Sequence, residues 1–175
     1  MGFKRHIFST LISLHSLLLC GAIFGYFYAW ICPTHWGLDQ IDPNIAITAM
    51  QAMNASVRNV VYAPVFFSRL WSCWSVPCLH LAVATAPLRG FTMAGLIYGF
   101  GGMALTMAIN VPLNQALALI ETPLAPAQAS AVRSAYSETW QFWNIIRPCA
   151  TAVALLLTGL GLLKLTQTGR DSVNA

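Results

Sequence analysis

Charge is what this sequence has least of. Only 8% of its 175 residues are charged, against about a quarter in ordinary soluble domains. A soluble helical bundle needs a polar face on each helix, and this chain has too few polar side chains to supply one. Acidic residues are rarer still, at five. None lies inside a long apolar stretch, which weighs against a proton-coupled transporter with membrane-buried carboxylates. The nine basic residues give a net charge of +4, yet they form no run, so no nucleic-acid partner is expected. Paired thiols are missing as well. Cys20, Cys32, Cys73, Cys78 and Cys149 contain no CxxC, which argues against a quinone-coupled thiol oxidase and against zinc-ligand spacing.

What the chain has instead is apolar length, with 57% hydrophobic residues. Four stretches stand out, at roughly 7–31, 60–86, 91–111 and 145–165. Each is long enough to cross a bilayer core, which takes about 20 residues of helix. Asp39, Asp42, Glu121 and Glu138 follow the first and third stretches, whereas Lys4, Arg5, Arg89, Lys164 and Arg170 fall on the other side. Basic residues concentrate on the cytoplasmic face. The expectation is an all-α, four-span membrane bundle forming one domain over 1–175, with both termini cytoplasmic, in a bacterial inner membrane. The first stretch has a basic start, but it outruns a signal peptide's apolar region. It ends in aromatics (Tyr26, Phe27, Tyr28, Trp30) that resemble an interfacial belt, rather than in a small-residue cleavage site. It is therefore expected to be a retained helix.

Within the spans, Gly21 and Gly25 form a small-xxx-small pair, and Gly95, Gly99, Gly101 and Gly102 crowd the third stretch. Both patterns predict close helix packing. Pro64 and Pro77 predict kinks in the second stretch, and Arg69 should face the bundle interior or snorkel outward. Between the spans, 43–59 and 126–142 read as amphipathic helices on the outer face, each running on into the span behind it. Asp42-Pro43 supplies a cap and a first-turn proline for the former. Cys32 and Cys149 both fall near the outer face, which leaves open either a disulfide in an oxidising compartment or two small packed side chains.

Three polar clusters meet on that outer face: Gln51, Asn54, Arg58 and Asn59; then Asn110 and Asn114 around Pro112; then Trp140, Trp143, Asn144 and Arg147. Trp140, Asn144 and Arg147 share a helical face, and the spacing of Trp143 and Arg147 predicts a guanidinium lying on an indole. Such a site offers a fixed positive charge, amide donors and flat aromatic walls, which suit a planar, apolar, weakly acidic ligand.

The motifs AMQAMN at 49–54, NVPLN at 110–114 and WxxWNxxR at 140–147, in four-span order, resemble the anthrone-oxygenase-like membrane family. The resemblance covers most of the chain. It implies a four-helix membrane bundle and, from fungal members, oxidation of polyketide anthrones to anthraquinones by molecular oxygen without a recognised cofactor or metal. On that reading Arg147, Asn144, Asn110 and Asn114 carry the chemistry, while Trp140, Trp143, Asn54 and Arg58 hold the apolar aromatic substrate beside membrane lipid. His35, Asp39 and Asp42 are on the correct side to serve as a base, and none belongs to a motif. Two other readings stand beside this one. The same pocket would serve a non-catalytic membrane subunit that binds a lipid or quinone-like molecule. Alternatively, His15 and His80 lie at similar depths and are spaced to ligate a b-type haem.

Overall fold

The computed structural model describes residues 2–79 and 86–174, and every regular element among them is helical. Helix α1 (Gly2–Ala29) passes through a π segment (Trp30–Thr34) into the single turn α2 (His35–Leu38). The π segment contains Pro33, which has no N–H to offer the Ala29 carbonyl. The hydroxyl of Thr34 donates to that carbonyl instead, at 3.0 Å. Helix α3 (Pro43–Ser56) follows, then α4 (Tyr62–Leu79) and α5 (Ala86–Ile97). Two further π segments, Tyr98–Ala104 and Thr106–Asn110, continue α5 into α6 (Val111–Ala118), and α7 (Pro126–Asn174) closes the chain.

Three helical stretches are long and apolar enough to cross a membrane: Ile7–Leu38, Leu88–Ala118 and Pro126–Thr168. The chain is therefore a membrane protein by length and composition. The expected span at 60–86 lies partly outside the described residues, and its described part, α4, is less apolar because it carries Arg69, Ser72 and Ser75. Helix α4 nevertheless packs against α1 and α5, and α7 packs against the same two helices.

Small residues set the closest of these contacts. A Cβ on Gly101 would lie 2.5 Å from the Ala150 Cβ, one on Gly161 would meet the Phe91 ring at 2.9 Å, and one on Gly90 would sit 3.2 Å from the Leu157 carbonyl. Helices α5 and α7 approach along this seam. Gly21 and Gly25 differ from expectation, since a Cβ on either meets nothing within 4 Å. Their spacing is that of a packing motif, but among the described residues no neighbour closes on them.

Arg69 faces the interior, fully buried. Its guanidinium donates to Ser16 Oγ at 3.2 Å, and to Cys20 Sγ and Thr158 Oγ1 at 3.1 Å each, with the Tyr98 ring centroid 5.5 Å away. This cation thus ties α4 to both α1 and α7. His15 is exposed on α1, on the side away from buried Ser13 and Ser16, so it does not point toward a haem inside the bundle; His80 lies outside the described residues. Cys32 and Cys149 are free and exposed, neither joined to each other nor packed in a core.

Above the end where α1 finishes and α4 begins, α3, α6 and the first turns of α7 form a cap. Trp30, Ile47, Met50, Leu117, Tyr136 and Trp140 make its core. Asp42 caps α3 by accepting from the Asn44 and Ile45 N–H groups, with Pro43 in the first turn. The Asn44 amide bonds both the N–H and the C=O of Leu124. Gln51 donates to the Leu117 and Ile120 carbonyls at the end of α6, so it closes a helix terminus rather than joining a binding cluster. Asn59 likewise acts locally. Its side-chain oxygen accepts from the Val61 and Tyr62 N–H groups and starts α4. The chain therefore breaks between α3 and α4, whereas α7 runs unbroken from the cap into the apolar region as expected.

One ion pair pins the cap. Asp39, just past α2, accepts from Arg133 at 2.5 Å, Gln141 at 2.8 Å and Ser137 at 3.2 Å, all on α7. Partial burial works to raise the Asp39 pKa, but the hydrogen bonds from Gln141 and Arg133, the Arg133 charge and the Ser137 hydroxyl outweigh it and hold the carboxyl below its ordinary value.

Two outcomes follow. Gly101→Ala should destabilise the protein by about 1–3 kcal/mol through overpacking against Ala150, whereas Gly21→Ala should be neutral or stabilising by up to about 1 kcal/mol through helix propensity; thermal unfolding in detergent distinguishes them. Because the folded Asp39 pKa is depressed, its contribution is present above the ordinary carboxylate pKa and fades as pH falls through the folded value. Asp39→Asn should therefore cost on the order of 1 kcal/mol near neutrality, and the gap to the parent should shrink in acid, as unfolding midpoints across that range will report.

Candidate functional site

Beneath the cap lies a cavity of about 350 Å³ to which every long helix contributes. Helix α1 and its π segment supply Tyr26 and Trp30, and α4 supplies Tyr62 and Phe66. The third apolar stretch supplies Thr106, Asn110 and Asn114, and α7 supplies Trp140 and Arg147. Asn54 from α3 and Arg58 from the α3–α4 link complete the rim. Of the eight residues singled out from the sequence, six line this one cavity: Asn54, Arg58, Asn110, Asn114, Trp140 and Arg147.

The other two stand apart. Asn144 is fully buried behind Arg147, and its side-chain oxygen accepts a hydrogen bond from that guanidinium. Trp143 is not in the cavity wall; it packs edge-on against Phe142, with ring centroids 5.2 Å apart. The guanidinium of Arg147 consequently does not lie on Trp143. It sits 4.6 Å from the Phe27 centroid and 5.4 Å from that of Trp140. Helical side chains lean toward the N-terminus, and on the inner face of α7 that direction leads past Asn144 to Trp140.

Arg147 is 4% exposed. Besides Asn144 it donates to Thr106 Oγ1 at 3.3 Å, and its Nε is buried without a hydrogen-bond partner. Among the described residues the one ion pair is Arg133–Asp39, so Arg147 has no carboxylate beside it. Opposite, Asn110 is 1% exposed, and both its amide nitrogen and its oxygen lack partners. It ends the π segment Thr106–Asn110, immediately before the first turn of α6. Pro112 in that turn leaves a carbonyl without its α-helical donor, and such widened turns recur at functional sites. A buried amide normally finds partners; this one has its donor and acceptor free at the cavity wall.

Asn114 has a different part. Its side-chain oxygen accepts from the Tyr136 hydroxyl at 2.7 Å and from the Trp140 indole at 2.8 Å, which fixes the Trp140 ring as a wall. Asn54 donates to the same Tyr136 hydroxyl at 3.4 Å. Buried His35 lies on the far side of Trp140, ring centroids 4.4 Å apart, with neither ring nitrogen hydrogen-bonded. It does not line the cavity, and neither do Asp39 and Asp42.

Sequence reasoning alone misses Tyr26, Tyr62, Phe66 and Thr106 as wall residues. Tyr26 and Trp30 sit within an aromatic run that resembles an interfacial belt, yet their i, i+4 spacing puts both on one face, while Tyr28 points outward. The rings of Tyr26 and Tyr62 meet at 4.5 Å and form a second aromatic wall. The site thus combines flat walls, one buried cation without a counter-ion and one free amide. It can hold a planar apolar molecule whose polar edge carries negative charge.

No curated protein and no solved structure matches this chain. The family model for anthrone oxygenase matches residues 6–157, most of the 175 residues, and the chain belongs to the anthrone oxygenase family.

Proposed function

We propose that this protein is a four-span membrane oxygenase that oxidises a planar, phenolic, anthrone-like substrate with molecular oxygen, with Arg147 and Asn110 holding the substrate's oxyanion. In this reading α4 is the second of four spans, both termini are cytoplasmic, and the cavity lies toward the outer face of a bacterial inner membrane. The observation that carries it is the cavity's pairing of a buried guanidinium without a counter-ion and an amide without partners. A neutral lipid tail needs neither group, whereas an enolate or phenolate needs both.

The chemistry asks for no metal. An anthrone's central methylene loses a proton to give an anion delocalised onto the ring oxygen. That anion passes one electron to oxygen, and the resulting radical pair combines into a carbon–oxygen bond. After protonation, the hydroperoxide loses water and leaves the quinone carbonyl, so one oxygen molecule yields one carbonyl and one water. Arg147 and Asn110 favour the first step by stabilising the oxyanion in a low-dielectric site. Trp140, Tyr26 and Tyr62 keep the rings planar and exclude bulk water. No carboxylate or imidazole among the described residues lines the cavity, so the part assigned to the cavity is stabilisation of the anion, with no residue assigned as the base.

Arg147→Ala and Asn110→Ala should each lower anthrone-dependent oxygen uptake by about 10²–10³-fold, the scale seen when one oxyanion donor is removed, while membrane insertion and yield are kept. Trp143→Ala should leave the rate within about twofold, because its ring lies outside the cavity and removes no transition-state contact. Full activity in both cavity variants, measured with an oxygen electrode on protein in nanodiscs, would overturn the assignment.

A further inference from the structure

The cavity's walls are uneven. On the α1 and α7 side they are closed by buried Trp30, Trp140 and Arg147. On the opposite side the lining runs out to the surface through Phe67 on α4 and Met107 on the third stretch, 54% and 50% exposed. Helix α4 packs closely along Ala86–Ile97 and makes fewer close approaches to Tyr98–Ala104 and beyond. The cavity's mouth lies where exposed Phe67 and Met107 line it.

The surface around that mouth is apolar. Trp71 continues Phe67 one turn along α4, and Phe100 precedes Met107 by two turns; both are strongly exposed. Toward the cap the lips become polar, with exposed Arg58 on one side and exposed Gln115 on the other. Gln115 stands about 12 Å along the helix from Met107 at 1.5 Å per residue. Apolar residues at membrane depth with polar ones a dozen ångströms above match the change from acyl chains to headgroups. With α4 as a span, as proposed above, the mouth faces the bilayer at its upper boundary rather than the aqueous phase.

We propose that the ligand reaches the cavity sideways from the bilayer, between Phe67 and Met107, with its polar edge passing beneath Arg58 and Gln115. The occupant this geometry fits is a planar aromatic phenol already dissolved in the membrane, ring plane along the lipid chains and oxygens toward the headgroups. This inference rests on the pocket reading above. It adds a route, and it makes Phe67 and Met107 residues that control the rate of admission while contributing little to affinity.

The test uses 1,8-dihydroxyanthraquinone equilibrated into the same phosphatidylcholine vesicles that hold the full-length protein, with re-equilibration of bound and free probe after a temperature jump followed through its visible absorbance. Narrowing the mouth with Phe67→Trp and Met107→Trp together should slow association and dissociation alike, by about fivefold or more, and leave equilibrium affinity within about twofold. Widening it with Phe67→Ala and Met107→Ala should speed both. Leu160→Trp, on an exposed position of α7, should change neither rate. A merely structural disturbance would shift affinity rather than move the two rates together. Unchanged rates in both double variants, with binding intact, overturn the lateral route and leave the pocket standing. Failure of the parent protein to bind the probe at all overturns the pocket and the route with it.

Discussion

A guanidinium keeps its proton at any physiological pH, and an isolated charge inside an apolar bundle is costly unless something solvates it. Arg147 is in that position. Its solvation comes from one amide oxygen, one hydroxyl and two aromatic faces, none of which carries negative charge. The surrounding structure is arranged around this constraint. Asn144 fixes the guanidinium from behind, Thr106 reaches it from the π segment, and Trp140 is itself held by Asn114. The remaining electrostatic requirement faces the cavity, where an anionic ligand would meet it.

Arg69 shows what a cation serving architecture looks like in the same molecule. It is equally buried, but it bonds across to Ser16, Cys20 and Thr158 on two neighbouring helices. Arg147, by contrast, lines a cavity. Glycines between the third apolar stretch and α7 lock the helix that carries Arg147, and π segments then turn Asn110 and Trp30 toward a shared space. Proline is the common element in two of these irregularities: Pro33 lies within one π segment, and Pro112 follows another. In each case a missing backbone donor accompanies a widened turn.

Much of this is legible in the sequence because it depends on periodicity and length. The apolar stretches announce membrane helices, Asp42-Pro43 announces the start of α3, and helical spacing puts Trp140, Asn144 and Arg147 on one face. Alternation of the stretches brings Asn54, Asn110 and Arg147 to the same end. What cannot be read depends on partners. Gln51 and Asn59 look like pocket amides until their helix termini are in view. Gly21 and Gly25 have the spacing of a tight seam with no described neighbour closing on them, while Gly90 and Gly161 form part of such a seam without a local motif. Trp143 lies one turn from Arg147 on α7, yet its ring packs on Phe142 and not in the cavity wall, which depends on how α7 seats against its neighbours. Tyr26 and Tyr62 are separated by a cap and a break in the chain, and only the folded structure makes them one wall.

If the cavity holds its ligand as an anion against Arg147, the absorption spectrum of a bound hydroxyanthraquinone will show it. The spectrum should be recorded at a pH where the free probe is neutral. Binding should move the visible band to that of the ionised probe, and Arg147→Met should return it to the neutral form. A bound probe that keeps its neutral spectrum in the parent protein would mean that Arg147 does not hold the ligand as an anion.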